Sequence, residues 1–194
     1  MPTTATQTPS AADTRQRLID VAVDLFTRHS FAGTSLQMIA DEMGFTKAAI
    51  YYHFRTREEL LAAVVEPIFD ELSGVIAAAA AQRSANARAD HMLRGYAELA
   101  VANRALVSVL ACDPSVTTLL REQPHWSQLI SRQLALLAGD EPDPGGLIKA
   151  TVALAGISSA VGPAWIAVDD DDLLRHLVNT GRRTLGLRRK GTHS

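Results

Sequence analysis

The sequence predicts an all-α protein. Apolar residues recur at spacings of three and four along almost the whole chain, whereas alternating stretches and β-branched runs are scarce. Hydrophobic residues make up 47% of the 194 residues, which is enough for a buried core and typical of a globular chain. Two short helical segments around one glycine further predict a three-helix head with helix-turn-helix geometry, followed by a larger helical domain.

Four segments are expected along the chain. Residues 1–12 have neither a basic start nor an apolar run, so we predict a disordered tail there and no signal peptide. Residues 13–60 are predicted to form the head, residues 61–187 the second domain and residues 188–194 a basic tail. The single cysteine, Cys112, excludes an intrachain disulfide and fits a reducing compartment, so a cytoplasmic location is expected.

The head begins with a predicted amphipathic helix. Its apolar face consists of Leu18, Val21, Ala22, Leu25 and Phe26. We expect Asp13, with Gln16 three residues later, to cap the start of this helix, and Gly33 to end it. Thr34 and Gln37 repeat the capping-box spacing and predict the start of a second, short helix.

The second and third helices of the head are predicted to meet at Gly44. Glycine adopts the left-handed conformation without strain, so it can end a helix in a sharp turn. Thr46 can cap the third helix, and Ile50 and Phe54, four residues apart, can anchor that helix inward. Ala40 is small enough to let another helix cross closely. This spacing predicts a helix-turn-helix with its second helix presented outward.

The outward residues of the third helix carry chemistry suited to DNA. They are Lys47, Ala48, Ala49, Tyr51, Tyr52 and His53. In a major groove, a lysine can donate to guanine and a small apolar group can contact a thymine methyl, while hydroxyl and basic groups hold phosphates. The net charge of −2 gives no global signal, but every charged residue between Gly44 and Arg57 is basic. Ordinary packing of a tight helix pair is the alternative interpretation.

The string LFTRHSFAGTSLQMIADEMGFTKAAIYYHFRTREELL closely resembles the tetracycline-repressor (TetR) family of bacterial transcription regulators, over about residues 14–62. The resemblance implies a homodimer that binds a palindromic operator in double-stranded DNA. It implies that the residues at or next to the bases are Lys47, Ala48, Ala49, Tyr51 and His53. It implies phosphate contacts for Thr34, Ser35, Thr46, Tyr52 and Arg57. Gln37 either closes its capping box or reaches a base.

A fourth helix is predicted after the head. Thr56 and Glu59 have the spacing of a capping box, and an apolar face follows as far as Leu72. Pro67 lies inside this segment. Proline lacks the backbone donor and crowds the preceding turn, so a kink or a break is expected at that position.

Three further helices are predicted in the middle of the chain: one over residues 85–110, one beginning at Pro114 and one from Pro124 to about Gly139. Six of their residues are core residues by default: Met92, Tyr96, Leu99, Asn103, Trp126 and Leu129. The family resemblance implies an effector pocket among these helices, so some of the six are expected to line it. The expected effector is a small apolar or amphipathic molecule.

The segment from Leu147 to Val168 is predicted to be a helix that is buried on nearly every side, because it has no charge after Lys149. The next helix offers an apolar stripe. We expect a four-helix homodimer interface, as in the family, built from Gly156, Ser159, Ala160, Leu173, Leu174, Leu177 and Val178. Burial within one monomer is the alternative. A membrane span is disfavoured by the Ala, Gly and Ser content and by Pro163.

No metal, cofactor or catalytic site is expected. Residues 169–172 are acidic and His176 follows, but successive helical residues point about 100° apart, so they cannot converge on one ion. Acids at a helix start complement the helix dipole. No Ser-His-Asp, Cys-His or phosphate-loop pattern appears, so we do not expect an enzyme. The family resemblance implies a ligand-responsive repressor that a small-molecule effector releases from its operator. An activator or dual regulator, or a helical ligand-binding or enzyme domain, is the alternative.

Overall fold

The computed structural model describes residues 10–139, 143–162 and 168–187. These residues contain ten α-helices and no strand, which confirms the all-α prediction. The helices are α1 (Ala11–His29), α2 (Leu36–Met43), α3 (Lys47–His53), α4 (Arg57–Ala80), α5 (Ala85–Ala102), α6 (Arg104–Cys112), α7 (Pro114–Glu122), α8 (Pro124–Ala138), α9 (Pro144–Ala160) and α10 (Asp170–Leu185). The chain divides into two compact units between Val65 and Glu66, inside α4. The expected boundary lay between residues 60 and 61.

The first unit has its own small core. Four of the five residues on the apolar face of α1 are buried, and the fifth, Val21, is partly exposed. The Phe26 ring meets the Phe31 ring edge-on at 5.3 Å between centroids. Ile39 from α2, Ile50 from α3 and Leu60 from α4 are fully buried in the same unit. Ala40 and Phe54 are also buried, as the sequence predicted. The fully buried side chains of this core come from all four helices and from the turn after α1.

The start of α1 differs from the prediction. Ser10 is the N-cap: its hydroxyl accepts from the Asp13 amide at 3.1 Å, and the Asp13 carboxylate accepts from the Ser10 amide at 3.0 Å. Asp13 is therefore the third helical residue of a capping box, and the prediction that Asp13 is the cap was wrong. Ala11 and Ala12 are helical, although we expected them in the tail. Residues 1–9 of the expected tail lie outside the described residues.

The start of α2 also differs. Its cap is Ser35, whose hydroxyl accepts from the Met38 amide at 3.2 Å, so the capping box expected for Thr34 and Gln37 does not form. The Thr34 side chain is buried instead, and its hydroxyl lies 2.7 Å from the Ser30 carbonyl oxygen, to which it donates. The cap is shifted by one residue because Thr34 ties the turn to the end of α1.

Helix α4 runs through Pro67 without the break that was one of the two expected outcomes. The Thr56 hydroxyl accepts from the Glu59 amide at 3.0 Å, as predicted, whereas the Glu59 carboxylate accepts from the Arg55 amide at 2.8 Å. Pro67 is exposed, so its ring lies on the solvent side of the helix. The missing N–H costs one helical hydrogen bond, but burial of the flanking apolar residues of α4 maintains the helix.

The helix expected over residues 85–110 is two helices in the structure. The chain leaves helical geometry at Asn103, which has φ −114° and ψ 33°. The backbone amide and the side-chain amide of Asn103 both donate to the Leu99 carbonyl oxygen, each at 3.0 Å, so Asn103 closes the end of α5. The predicted starts of α7 at Pro114 and α8 at Pro124 are both confirmed.

Helix α9 is shorter than predicted. It begins at Pro144 behind the Asp143 cap, three residues before the predicted start at Leu147. It ends at Ala160 and not at Val168. A β-carbon on Gly162 would lie 2.1 Å from the Ser108 hydroxyl oxygen, so this close approach to α6 requires glycine. None of the helices in the described ranges combines the length and the apolar character needed to cross a bilayer.

Helix α10 packs on α5 at two adjacent points. A β-carbon on Gly181 would lie 2.5 Å from a Leu93 methyl carbon, so the helices approach closely there. One residue further, the Arg182 guanidinium donates to both Asp90 carboxylate oxygens, at 2.5 and 2.8 Å. The hydrogen bond from Arg182 lowers the pKa of Asp90, against a smaller opposing effect of burial. The expected basic tail at residues 188–194 lies outside the described residues.

Candidate functional site

The turn between α2 and α3 has the predicted helix-turn-helix geometry. Gly44 is left-handed, with φ 67° and ψ 27°, and its amide donates to the Asp41 carbonyl at 3.1 Å. The Phe45 amide donates to the Ala40 carbonyl at 2.9 Å, which completes the helix end. The Thr46 hydroxyl then accepts from an amide in the first turn of α3 at 3.3 Å. Both ends of the turn are thus satisfied by local hydrogen bonds.

Helix α3 displays most of its surface. Ile50 is its only buried residue, and Lys47, Ala48 and Ala49 are exposed. Tyr51 is 43% exposed and Tyr52 is 81% exposed, so the pair does not fill the core. The Lys47 ammonium lies 5.6 Å from the Tyr51 ring centroid, and a partly exposed His53 meets the Tyr52 ring edge-on at 5.1 Å. A seven-residue helix therefore presents one cation and three rings to solvent.

A concave surface of about 320 Å³, the head groove, lies beside α3. It brings together residues from the start of α2, from α3 and from the start of α4. It is lined by Thr34, Ser35, Leu36, Gln37, Lys47, Tyr51, Arg55, Thr56, Arg57 and Glu58. Six of the predicted DNA-contact residues therefore share this one surface with Arg55. The Gln37 amide donates to the Asp41 carboxylate at 2.7 Å and does not cap α2, so the capping alternative for Gln37 was wrong.

Two residues expected to contact phosphates have structural roles. Arg57 donates through Nη1 to the Phe31, Ala32 and Thr34 carbonyl oxygens at 3.0, 3.1 and 3.1 Å. Its guanidinium carbon lies 4.2 Å from the Phe31 ring centroid. Arg57 thus fastens the turn between α1 and α2 to α4, and the Thr34 hydroxyl is directed into the protein. Both side chains are therefore used within the head and are not expected to hold a phosphate.

The sequence prediction omitted Arg55 from the contact residues. Its side chain is exposed, and it lines the head groove with Lys47 and Tyr51. The signal was present in the sequence, because Arg55 belongs to the stretch between Gly44 and Arg57 in which every charge is basic. The residue was missed because it follows α3 and is not part of it.

A second site lies among the middle helices, in the unit that begins at Glu66. This Gln133 cavity has a volume of about 150 Å³. It is lined by Ile68, Phe69, Leu72, Tyr96, Leu99, Val107, Leu110, Ala111, Leu120, Ile130, Gln133 and Ser158. None of these described lining residues is charged. The cavity is thus mainly apolar, and Tyr96, Gln133 and Ser158 supply the polar side chains among them.

Two of the six predicted pocket residues, Tyr96 and Leu99, line this cavity. The other four lie elsewhere. Met92 is fully buried core, Leu129 is buried, and Trp126 stacks on the Phe69 ring at 5.3 Å. The side-chain amide of the fourth, Asn103, donates to the Leu99 carbonyl oxygen at the end of α5. Sequence reasoning missed Gln133 and Ser158. A signal was available, because each is a polar residue whose neighbours three and four positions away are mostly apolar.

The polar groups of the cavity are unevenly satisfied. The Tyr96 and Ser158 hydroxyl oxygens lie 2.6 Å apart, and the Ser158 hydroxyl also lies 2.9 Å from the Leu154 carbonyl oxygen. Burial raises the pKa of Tyr96, and its hydrogen bond with Ser158 opposes that effect. Gln133 is only 4% exposed, and its Nε2 has no hydrogen-bond partner among the described residues. One buried donor is therefore left unpaired at the cavity.

A third feature is an apolar groove of about 370 Å³ between α9 and α10, the α9–α10 groove. Of the residues predicted for a dimer interface, four line it: Gly156, Ala160, Leu173 and Leu177. Ser159, Leu174 and Val178 do not line it. Leu173 and Val178 are 3% and 5% exposed within the single chain, so part of the predicted stripe is core of this unit. Val152, which also lines the groove, is 55% exposed, and Ile148, four residues earlier on α9, is 63% exposed.

The acidic run at the start of α10 is used locally. The Asp169 carboxylate accepts from the Asp172 amide at 2.8 Å and caps the helix. Asp170 pairs with Arg104 and Asp172 with Arg175, each at 2.7 Å. Within the described ranges, no group of three or more potential metal ligands is placed to hold an ion.

Residues 18–64 match the family model of bacterial regulatory proteins of the tetR family. The chain is 41% identical over 56 residues to the HTH-type transcriptional regulator AcrR of Shigella flexneri, and this match covers 29% of the chain and 26% of AcrR. It is 34% identical over 62 residues to IcaR, the biofilm operon icaADBC HTH-type negative transcriptional regulator of Staphylococcus aureus (strain Newman), covering 32% and 33% of the two chains. The likeness to these two proteins thus spans a third of their length or less.

The fold of nearly the whole chain is also found in a solved structure. It is a TetR transcriptional regulator family member from Streptomyces coelicolor A3, with a TM-score of 0.67 and 24% identity, and the match covers 98% of this chain and 96% of that one. At this identity, the likeness establishes a shared fold. Together with the family match in the head, it confirms the resemblance to the TetR family that the sequence predicted.

Proposed function

We propose that this chain, whose residues 18–64 form a TetR-family domain, is a transcriptional regulator that binds double-stranded DNA through α3. The observation that carries the proposal is the display of α3: Ile50 alone anchors the helix, while Lys47 and both tyrosines face solvent. A helix of this kind fits a major groove, where side chains at its start reach base edges.

The exposed residues divide into two proposed groups. Base contacts are assigned to Lys47, Ala48, Ala49, Tyr51 and His53. Lys47 and Tyr51 are four residues apart on one face, and their 5.6 Å contact orients the ammonium against the ring. Phosphate contacts are assigned to Ser35, Thr46, Tyr52 and, in place of Arg57, Arg55. Gln37 lies in the same groove, where its amide can reach a base or a phosphate.

We propose that a second copy of this chain covers the α9–α10 groove. An apolar groove whose lining residue Val152 and neighbour Ile148 are both more than half exposed is unfavourable in water. A β-carbon on Gly156 would meet no atom within 4 Å in the single chain, so the helix surface there is open to a close partner. Such a homodimer has two-fold symmetry, and its two heads read the halves of a palindromic operator.

The regulator is proposed to respond to a small effector in the Gln133 cavity and to act as a repressor released by that effector. The cavity supports the effector, and likeness to IcaR, which is a negative regulator, supports repression. The effector releases DNA only if it binds the DNA-free state more tightly than the DNA-bound state.

DNA binding is tested by selection from a random double-stranded DNA pool with the purified protein. The expected result is enrichment of a palindromic sequence. Lys47→Ala and Tyr51→Ala should each bind that sequence at least about tenfold more weakly while keeping helical content. Arg17→Ala is the matched control, because Arg17 is an exposed cation of α1 outside the head groove. No enrichment, or full affinity in both α3 variants, would refute the proposal.

Dimerisation is tested by sedimentation velocity at micromolar concentration. Leu177→Glu places a charge in the α9–α10 groove and should give a folded monomer with weakened operator binding. Gln128→Glu adds the same charge at an exposed position of α8 and should leave the dimer intact. A wild-type monomer, or a Leu177→Glu protein that remains dimeric, contradicts this interface.

A further inference from the structure

We propose that the Gln133 cavity binds an uncharged, mainly apolar molecule of one aromatic ring or similar size, and that Gln133 donates a hydrogen bond to an acceptor oxygen on that molecule. The inference rests on the proposed function, since it names the chemical class of the effector. It is carried by the size of the cavity, by its lining and by the buried Gln133 donor, which has no hydrogen-bond partner among the described residues.

The size of the cavity limits the molecule. Its volume is about 150 Å³. An engineered apolar cavity of about this volume in another protein stays dry and binds benzene. The lining is largely aliphatic, with Phe69 and Tyr96 as the aromatic members. A ligand with roughly six to ten heavy atoms therefore matches the space.

The lining also excludes a charged molecule. Among the residues that the structure describes, no lysine, arginine, histidine or carboxylate lines the cavity. An ion transferred there would lose its hydration without gaining a counter-charge, which is far more costly than burial of a neutral polar group. A carboxylate and the neutral ketone of the same shape should therefore differ strongly in affinity.

The hydrogen-bond arrangement specifies an acceptor. The Ser158 hydroxyl has one proton, and the Leu154 carbonyl oxygen at 2.9 Å can only accept it. Tyr96 must then donate its proton to the Ser158 oxygen across 2.6 Å. Both hydroxyl protons are consequently used within the protein. Gln133 Nε2 keeps its protons available, and its burial prevents bulk water from serving as the acceptor.

Three probe molecules of nearly equal shape separate the effect of ligand charge from the effect of the hydrogen bond to Gln133. Acetophenone is neutral and carries a carbonyl oxygen, α-methylstyrene replaces that oxygen with a methylene group, and benzoate is charged. Isothermal titration calorimetry with the DNA-free dimer should show acetophenone binding about tenfold more tightly than α-methylstyrene, which is the net effect of one hydrogen bond to a buried donor. Benzoate should show no saturable binding at the same concentrations.

Gln133→Met tests the donor, because methionine keeps the length of the side chain without its N–H groups. The acetophenone preference should fall to within about twofold, with α-methylstyrene binding retained. Gln128→Met, on the exposed side of the same helix, should keep the wild-type preference. If Gln133→Met fails to fold, Gln133→Asn retracts the amide by one methylene and should weaken acetophenone selectively. Circular dichroism establishes that each variant is folded.

The outcomes separate this inference from the proposed function. Equal affinity for acetophenone and α-methylstyrene in the wild type, or a preference that survives in Gln133→Met, overturns the assignment of the donor. Binding of none of the three probes overturns the proposed ligand class. Acetophenone binding that depends on Gln133 but leaves operator affinity unchanged upholds the ligand chemistry and overturns only the proposed coupling to DNA.

Discussion

Replacement of Arg57 by alanine should unfold or loosen the head without removing a phosphate contact. Arg57 donates to three carbonyl oxygens in the turn after α1 and stacks on the Phe31 ring. The family resemblance implies a phosphate contact for the same residue. These two roles predict different measurements, so a single variant can distinguish them.

The magnitude follows from the contacts of Arg57. All three hydrogen bonds are donated by Nη1, which has two protons. We therefore assign these contacts the free energy of two hydrogen bonds. A bond from a charged donor contributes about 1.5–3 kcal/mol, and the contact with the Phe31 ring about 0.5–1 kcal/mol. The Arg57 side chain is 30% exposed, so water replaces part of these bonds in the variant. We expect the head to lose about 2–4 kcal/mol of stability.

The assay pairs Arg57→Ala with Arg55→Ala. Head stability is measured by urea denaturation and by hydrogen exchange of the α1–α3 amides, and operator affinity is measured by fluorescence anisotropy over a range of KCl concentrations. Arg57→Ala should lower stability and leave the salt slope of the folded protein unchanged. Arg55→Ala should leave stability unchanged and reduce the slope by about 0.9 per contact, hence by about 1.8 for a dimer.

The opposite pattern would refute the structural role of Arg57. That pattern is an Arg57→Ala head whose stability lies within about 0.5 kcal/mol of wild type, together with a salt slope reduced by about 1.8. Arg57→Lys gives an independent check. Lysine keeps the charge that a phosphate contact needs but lacks the planar fork, so it should preserve the slope and recover little of the lost stability.

Three further outcomes are expected. Lys47→Ala should cost about 1–3 kcal/mol of discrimination at a guanine position of each half-site, measured by competition between operator variants. Asp90→Asn should lower the melting temperature at pH 7. Because Arg182 lowers the folded-state pKa of Asp90, the ion pair stabilises the fold fully above the unfolded-state pKa of about 4, and this stabilisation fades as the pH falls. The difference in melting temperature between the variant and wild type should therefore shrink in acid. Gly156→Ala should raise the unfolding free energy of a Leu177→Glu monomer by about 0.5–1 kcal/mol, because its β-carbon meets no atom, and should weaken dimerisation of the otherwise wild-type protein, measured by sedimentation.

The predictable parts of the fold depend on neighbouring residues. The hydrogen bonds of Gly44 and Thr46 both go to residues within about one helical turn. Ile50 is identified as inward from its spacing to Phe54 within the same short segment. The same is true of the proline starts of α7 and α8. Local sterics and capping chemistry determine such features, so one sequence is enough to locate them.

The unpredicted parts depend on distant contacts or on a choice between equivalent local ones. Arg57 reaches carbonyl oxygens more than twenty positions earlier in the chain, and no spacing rule shows that these oxygens lack donors. Ser10 and Asp13 both qualify as caps by residue type, and only the structure selects Ser10. The Gln133 cavity is assembled from residues of six helices, α4 to α9, so its lining depends on how those helices pack.

The unpaired amide of Gln133 affects which residues are selected at position 133 when that position mutates. An empty cavity with a buried, unsatisfied donor is less stable than the same cavity with an apolar side chain at that position. If cells carrying random codons at position 133 are propagated with selection only for folded protein, leucine and methionine should displace glutamine. If survival also requires release of DNA by a carbonyl-bearing molecule, glutamine should persist. The relative enrichment of glutamine in the two cultures measures how strongly recognition, as opposed to stability, maintains this residue.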